Sequence, residues 1–166
     1  MTTTAPAAQT VSQADADTPN VISPRVTASL QPGTATEVSI AAGDHGFTID
    51  EPASLGGTNR GANPVEHLLG ALSACQVITY QVWSQKLGLQ IDNIDIAAEG
   101  QLDLRGFFGL NDGVRPGFES IEFTVTLTGP ESDEAYANLV RQVDEHCPVL
   151  DSLVGNVPVA STFRRA

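Results

Sequence analysis

The sequence predicts an α+β fold with antiparallel sheets packed around one long buried helix. Three observations predict it. Short runs of alternating apolar and polar residues lie on both sides of a central segment. That central segment is a long apolar stretch with helical spacing. The element order that results, β-β-β-α-β-β-α-α-β, is not the regular strand and helix alternation that builds parallel sheets. The 166 residues are a length for one domain, enough to bury a core without disulfide or metal staples.

The first segment, MTTTAPAAQTVSQADADTPN and onward to residue 23, is rich in Thr, Ala, Gln, Asp and Pro and poor in apolar residues. It reads as a flexible tail, with the folded domain over 24–166. Three β runs follow. Val26, Ala28 and Leu30 share a face of the first, Val38 and Ile40 of the second, and Phe47 and Ile49 of the third. Pro32-Gly33 and Gly43-Asp44 mark the turns of an antiparallel meander.

Residues 51–62, EPASLGGTNRGA, are a polar, Gly-rich loop. Asn63-Pro64-Val65-Glu66 then starts a helix: Asn caps, Pro takes the first helical position and Glu the third. Leu68, Leu72, Cys75, Thr79 and Val82 recur at spacings of three and four, and Leu69, Ala71, Val77, Ile78 and Trp83 widen the stripe. The helix is expected to run to about Lys86, buried on most sides, with Gly88 as its stop.

Alternation resumes over 89–104 through Leu89, Ile91, Ile94 and Ile96. The segment RGFFGLNDGVRPG (105–117) reads as a loop with an aromatic tip. From Glu119 to Thr128 the alternation is clean, with Ile121, Phe123, Val125 and Leu127 on one face: a strand with one wet side. Ser132 caps a helix to about Glu145 whose core stripe is Tyr136, Leu139, Val140 and Val143. Pro148 starts a short helix that Gly155 ends, and Val157 to Phe163 is expected as a closing strand.

Eight basic residues face 20 acidic ones, for a net charge of -12. Such a surface repels nucleic acid and anionic lipid, so neither is expected as a partner. No 18-residue apolar run predicts a transmembrane helix, and the N-terminus has neither the basic nor the apolar region of a secretory signal. The expected compartment is the cytoplasm, where two thiols are free or transiently paired.

The two cysteines, Cys75 and Cys147, are the residues that offer nucleophilic or redox chemistry. A cysteine in mid-helix is commonly a small core hydrophobe, which is the plain reading of Cys75. Cys147 directly precedes a Pro-started helix, where free N–H groups and the helix dipole favour a thiolate, so local electrostatics rank it first. Its plain reading is a simple N-cap. His146 is adjacent to Cys147, but neighbours on a chain usually point apart. His45, His67 and His146 lack the short spacing of zinc ligands, and no phosphate or dinucleotide loop and no serine-hydrolase elbow occurs. No cofactor is expected.

The run DEPASLGGTNRGANPVEHLLGALSAC (50–75) resembles the central signature of the OsmC/Ohr family, osmotically inducible protein C and organic hydroperoxide resistance proteins. The run EHCPVLDSL (145–153) resembles that family's second cysteine motif, and RGFFGL with the strand after it fits its OsmC-like branch. The resemblance spans about residues 25–163. It implies an intertwined homodimer with shared sheets, central helices buried between subunits and active sites at the interface. It also implies a thiol-dependent peroxidase acting on organic hydroperoxides. Cys75 would be the peroxidatic thiolate, Cys147 the resolving thiol, and a dithiol of the lipoyl or another type the reductant.

In the well-known hydroperoxidases of the family an Arg held by a Glu assists the thiolate. That Glu directly follows the Pro; here Val65 stands there and Glu66 comes one place later. Glu66 is the candidate catalytic carboxylate, and a helix cap is the alternative. Nine residues place it on the opposite side of a straight helix from Cys75. Arg25, Arg60, Arg105 and Arg115 are the candidate arginines. The weak Arg–Glu match keeps a second reading open: a family dimer without peroxidase activity that binds a small apolar molecule or senses thiol redox state. Cysteine-dependent acyl transfer is a third, with only His146 as its base.

Overall fold

A computed structural model describes residues 19–165. The expected tail lies outside the described residues through residue 18; residues 19–23 are exposed and belong to no helix or strand.

The meander forms as expected from β1 (Val26–Leu30), β2 (Val38–Ala42) and β3 (His45–Ile49), paired antiparallel in that order. Ile40 lies opposite Ala28 on one side and Phe47 on the other, and it is the one buried side chain of the three strands. Ala42 pairs with His45 across a two-residue connection in which Gly43 has φ 59°. A side chain at a positive φ is strained there, and Gly at the first central position matches the twist of the flanking strands.

The loop after β3 is held by one carboxylate. Asp50 accepts from the Thr36 hydroxyl at 2.6 Å, the Thr58 hydroxyl at 2.8 Å, and the backbone N–H groups of Glu51, Thr58 and Arg60. The Thr36 hydrogen bond leads the causes that hold its carboxyl far below the usual carboxylate range. These bonds fold the chain back and deliver it to Asn63.

Helix α1 (Pro64–Leu87) begins in a complete capping box. The Asn63 side chain accepts from Glu66 N, and the Glu66 carboxylate accepts from Asn63 N, each at 2.8 Å. Gly88 ends it at φ 68°. The helix is less covered than its composition predicts. Leu72, Gln76, Thr79, Tyr80 and Ser84 are buried, whereas Ile78 remains 63% exposed and Leu68, Val82 and Leu87 are also exposed. The reason is the layering. Among the described residues α1 packs chiefly against the fourth strand and the two helices that follow the fifth, which leaves part of its surface uncovered.

That sheet is an antiparallel pair, β4 (Asn93–Gln101) and β5 (Ser120–Thr128), in continuous register from Asn93 opposite Thr128 to Gln101 opposite Ser120. Along each strand exposed and half-buried residues alternate. Ile94, Ile96, Val125 and Leu127 pack against the core of Tyr80, Leu139 and Val143. Between the strands the aromatic tip is not a simple loop. Leu104–Phe107 forms a short helix α2, capped by the Asp103 side chain accepting from Arg105 N. Gly106 is required there, since any Cβ would meet the backbone of Val114 and Arg115.

Helix α3 (Asp133–His146) starts at Ser132 as expected, and α4 (Pro148–Val154) follows after Cys147. The expected strand over 157–163 does not form. The segment after Gly155 carries no regular structure, and Val159 and Phe163 are about nine-tenths exposed. A strand needs an edge to pair with, and among the described residues this segment pairs with none.

Candidate active site

The two cysteines come from different elements and meet at one place. Cys75 lies midway along α1, and Cys147 is the joint between α3 and α4. Cys147 is fully buried, Cys75 half-buried, and both are free thiols. The Cys147 thiol and the Val149 backbone N–H of α4 both lie close enough to Cys75 to act on its thiol. Pro148 makes this possible. It has no N–H to continue α3, so the chain turns and aims the first free amides of α4 at α1.

The electrostatics of Cys75 are mixed. Burial is the largest influence and pushes its thiol up; the Val149 N–H pulls it down, the Cys147 thiol pushes it up again, and the Thr79 hydroxyl pulls it down. The net direction is upward, and none of the contributing groups is basic. The Thr79 hydroxyl donates to the Cys75 carbonyl at 2.8 Å.

A cavity of about 420 Å³ lies further along α1 and α4, and neither cysteine is among its lining residues. Leu68 and Leu72 of α1, Ile121 and Phe123 of β5, and Leu150 and Leu153 of α4 line it. Leu72 and Leu150 are each three residues from a cysteine. The walls are apolar, with Arg115 and Glu119 the charged residues among them. Of the four candidate arginines, Arg115 is therefore the one that reaches this cavity. Arg105 is paired with Asp103, the backbone of Arg60 serves the Asp50 loop, and Arg25 is exposed just before β1.

Glu66 is not brought to the cysteines within the chain. Its carboxylate is engaged in the capping box, nine residues and roughly 13 Å along the helix axis from Cys75. The histidines are separate too. His67 stacks on Phe47 with ring centroids 5.1 Å apart, His146 lies against Trp83 at 4.2 Å and its Nδ1 is 2.8 Å from Gln142 O, and His45 is on the exposed edge of β3. Among the described residues no three His, Cys, Asp or Glu side chains are grouped to hold a metal. No helix among them is long and apolar enough to cross a membrane.

One feature escaped the sequence reading. Gln76, next to Cys75, is fully buried and neither atom of its carboxamide has a hydrogen-bond partner. Arg115, one of four candidate arginines in the sequence, is set apart from the others by the fold, which places it in the cavity wall.

An α+β chain that sets a helix-borne thiol against a second thiol at the start of another helix is a dithiol protein. The family model for OsmC-like protein matches residues 57–162, more than half of the chain, and the chain belongs to that family. The uncharacterized protein YmaD of Bacillus subtilis is 27% identical over 130 residues, 76% of this chain and 83% of its own length. Among solved structures, the OsmC-like protein of Mycoplasma pneumoniae matches with a TM-score of 0.70 at 18% identity, over 81% of this chain and 89% of its own. The organic hydroperoxide resistance protein OsmC of Legionella pneumophila matches at 0.61 and 19%, over 82% and 92%. The organic hydroperoxide resistance protein OhrB of Bacillus subtilis matches at 0.54 and 23%, over 81% and 93%. At these identities the structural likeness is one of fold.

Proposed function

We propose that this protein is a cysteine-based peroxidase that reduces organic hydroperoxides. The observation that carries the reading is that Cys75 and Cys147, from two different elements, are brought close together, with an apolar cavity one helical turn away along α1 and α4. The Cys75 thiolate attacks the terminal oxygen of the hydroperoxide. The O–O bond breaks, the terminal hydroxyl stays on sulfur as the Cys75 sulfenic acid, and the alkoxide leaves as the alcohol by taking up the proton the thiol released on ionising. The Cys147 thiol then attacks that sulfur, an S–S bond forms and water leaves. A dithiol reductant, lipoyl-type or other, supplies two electrons and two protons by exchange and restores both thiols. The leucines and Phe123 of the cavity receive the alkyl or aryl body of the substrate.

The working form in this reading is a cytoplasmic homodimer with intertwined subunits. The uncovered apolar side of α1 supports it, with Ile78 and Val82 beside Cys75 on the helix surface. So does the segment after Gly155, which carries Val157, Val159 and Phe163 in the open. On a partner's sheet edge that segment would gain the pairing it lacks.

One observation favours a second reading, a family dimer that senses redox state or binds a small molecule without turning over peroxide. The Cys75 thiol is pushed upward and no basic group offsets it. Consumption of cumene hydroperoxide with dihydrolipoamide, wild type beside Cys75→Ser, separates the two. Turnover that vanishes in the variant supports the peroxidase. No turnover in the wild type with this or other dithiols, and no Cys75–Cys147 disulfide after peroxide, overturns it.

A further inference from the structure

Gln76 is fully buried, and both the oxygen and the nitrogen of its carboxamide lack a hydrogen-bond partner. The other buried polar side chains among the described residues are satisfied. Asp50 accepts from its loop, the Thr79 hydroxyl donates to the Cys75 carbonyl, and the Ser84 hydroxyl donates to the Gln81 carbonyl. The Tyr80 hydroxyl is also without a partner, but Gln76 strands a donor and an acceptor together. A methionine or leucine would fill the same space at no such cost.

The neighbours of Gln76 on the same stripe of α1 fix its height. One turn before it, Leu72 lines a cavity with Leu150 and Leu153 of α4. One turn after it, Tyr80 packs with Leu139 and Val143 of α3. The joint between those two helices is Cys147, itself fully buried. Gln76 is therefore enclosed at the height of that joint, one residue from the cysteine on which Cys147 acts.

Resolution of an oxidised Cys75 needs a donor at that height. Cys147 attacks as a thiolate, and a charge in a closed site calls for hydrogen bonds or a counter-charge. Its own helix supplies little: Pro148 has no N–H, and the Val149 N–H acts on Cys75. The basic side chains on this stretch of α1 and α3 are engaged elsewhere. Lys86 lies over the Trp83 ring, His146 has that ring and Gln142 O, and Arg141 donates to Asn138. A donor with no existing bond to give up gains the whole of its interaction with a charge that appears beside it.

We propose that the Gln76 carboxamide donates its N–H to the Cys147 sulfur as that sulfur becomes a thiolate, and so sets the rate at which Cys147 closes the disulfide with Cys75. This role rests on the Cys75–Cys147 exchange of the proposed function. The Cys147 thiolate attacks the Cys75 sulfur, the S–S bond forms, and the group that Cys75 carried leaves with the electron pair and takes up the proton that Cys147 released. Stopped-flow reaction of the full chain with 4,4′-dithiodipyridine tests it without peroxide. Cys75 attacks the reagent and frees a first thiopyridone. Cys147 then displaces the second from the mixed disulfide, so one trace reads both rates. In Gln76→Met, of similar length and apolar, the first phase should stay within about twofold of wild type, and the second should slow about fivefold or more and shift its pH profile upward. The melting temperature should be unchanged or higher, and Gln76→Leu should behave alike. A smaller effect on the second phase in both variants would remove Gln76 from the reaction. Equal slowing of both phases with lowered melting would reduce it to a structural role and overturn the proposal. A single phase in the wild type would overturn it together with the thiol pairing. Two phases in a wild type that consumes no peroxide would end the peroxidase reading and leave Gln76 its role.

Discussion

Cys147, at the foot of α4, and the Val149 N–H of the same short helix both lie close enough to Cys75 to act on its thiol. One helix start thus brings both a second sulfur and a partial positive charge to the middle of α1. The two thiols are therefore not equivalent. Cys147 is sealed in, and Cys75 keeps part of its surface open.

That asymmetry assigns the variants. Cys75→Ser is expected to abolish hydroperoxide consumption. Cys147→Ser should consume about one equivalent per subunit and then stop, because the sulfenic acid has no thiol to resolve it. Stopped-flow peroxide consumption and non-reducing mass spectrometry check both. Multiple turnovers in Cys147→Ser would remove it from the resolving role.

The upward displacement of the Cys75 thiol predicts a pH dependence. The reactive form is the thiolate, so its reaction with iodoacetamide should climb about tenfold per pH unit from pH 6 to 8. The rate should level off only above the ordinary thiol value near 8.5. Stability runs the other way. An unfolded chain releases this proton first, so the contribution is complete below the ordinary value and declines as pH rises beyond it. A plateau in alkylation below pH 7 would mean that a cation reaches Cys75 in the assembled protein.

Glu66 is held by Asn63 at the start of α1. Glu66→Gln keeps an oxygen to accept from Asn63 N, so turnover should stay within about twofold of wild type. Asn63→Ala should cost about 1 kcal/mol of stability through loss of the cap. A fall in kcat beyond tenfold in Glu66→Gln, with melting unchanged, would show that this carboxylate reaches a cysteine across a subunit interface.

Tyr80 is buried against Leu139 and Val143, and its hydroxyl has no partner. Burial first, and the Asp144 carboxylate second, push its phenol up to about 12 from an ordinary 10. The fold keeps the phenol neutral while the unfolded chain ionises it. Its contribution is therefore complete below pH 10 and disappears between pH 10 and about 12. Tyr80→Phe should be neutral or slightly stabilising at pH 7, since no hydrogen bond is lost. It should also flatten the alkaline limb of a urea-stability profile. Marked destabilisation at pH 7 would mean that a buried water or a partner group serves the hydroxyl.

Ile78, exposed on the open side of α1, is the residue to test the dimer. Ile78→Asp is expected to yield monomer in light scattering, and a chain ending at Gly155 should associate at least tenfold more weakly. Both should lose peroxide turnover with the dimer. A wild type that is monomeric at micromolar concentration would refute the intertwined assembly.

Much of this architecture is legible in local chemistry. Asn63, Pro64 and Glu66 announce the start of α1, and the capping box forms atom for atom. Gly43 and Gly88 mark their turn and stop because only glycine sits easily at those positive φ angles. The alternation from Ile121 to Leu127 declares β5, since a strand shows its two faces to different surroundings. The Val157 to Phe163 segment has the same apolar character and forms no strand, because pairing is decided by an available edge and not by composition.

The sequence by itself determined most of the elements and the two thiols, because caps, turns and hydrophobic period act over a few residues; it missed α2 and expected a closing strand that does not form. On local grounds it ranked Cys147 above Cys75. Only the tertiary structure decided that the two cysteines come close together, that Arg115 rather than Arg25, Arg60 or Arg105 lines the apolar cavity along α1 and α4, and that Glu66 is held in a capping box nine residues from Cys75. It also decided that one carboxylate oxygen of Glu51, beside the heavily hydrogen-bonded Asp50, is buried without a partner. Such relations depend on where the packing of α1 against β5 and α4 brings distant residues together, and no local spacing encodes that distance.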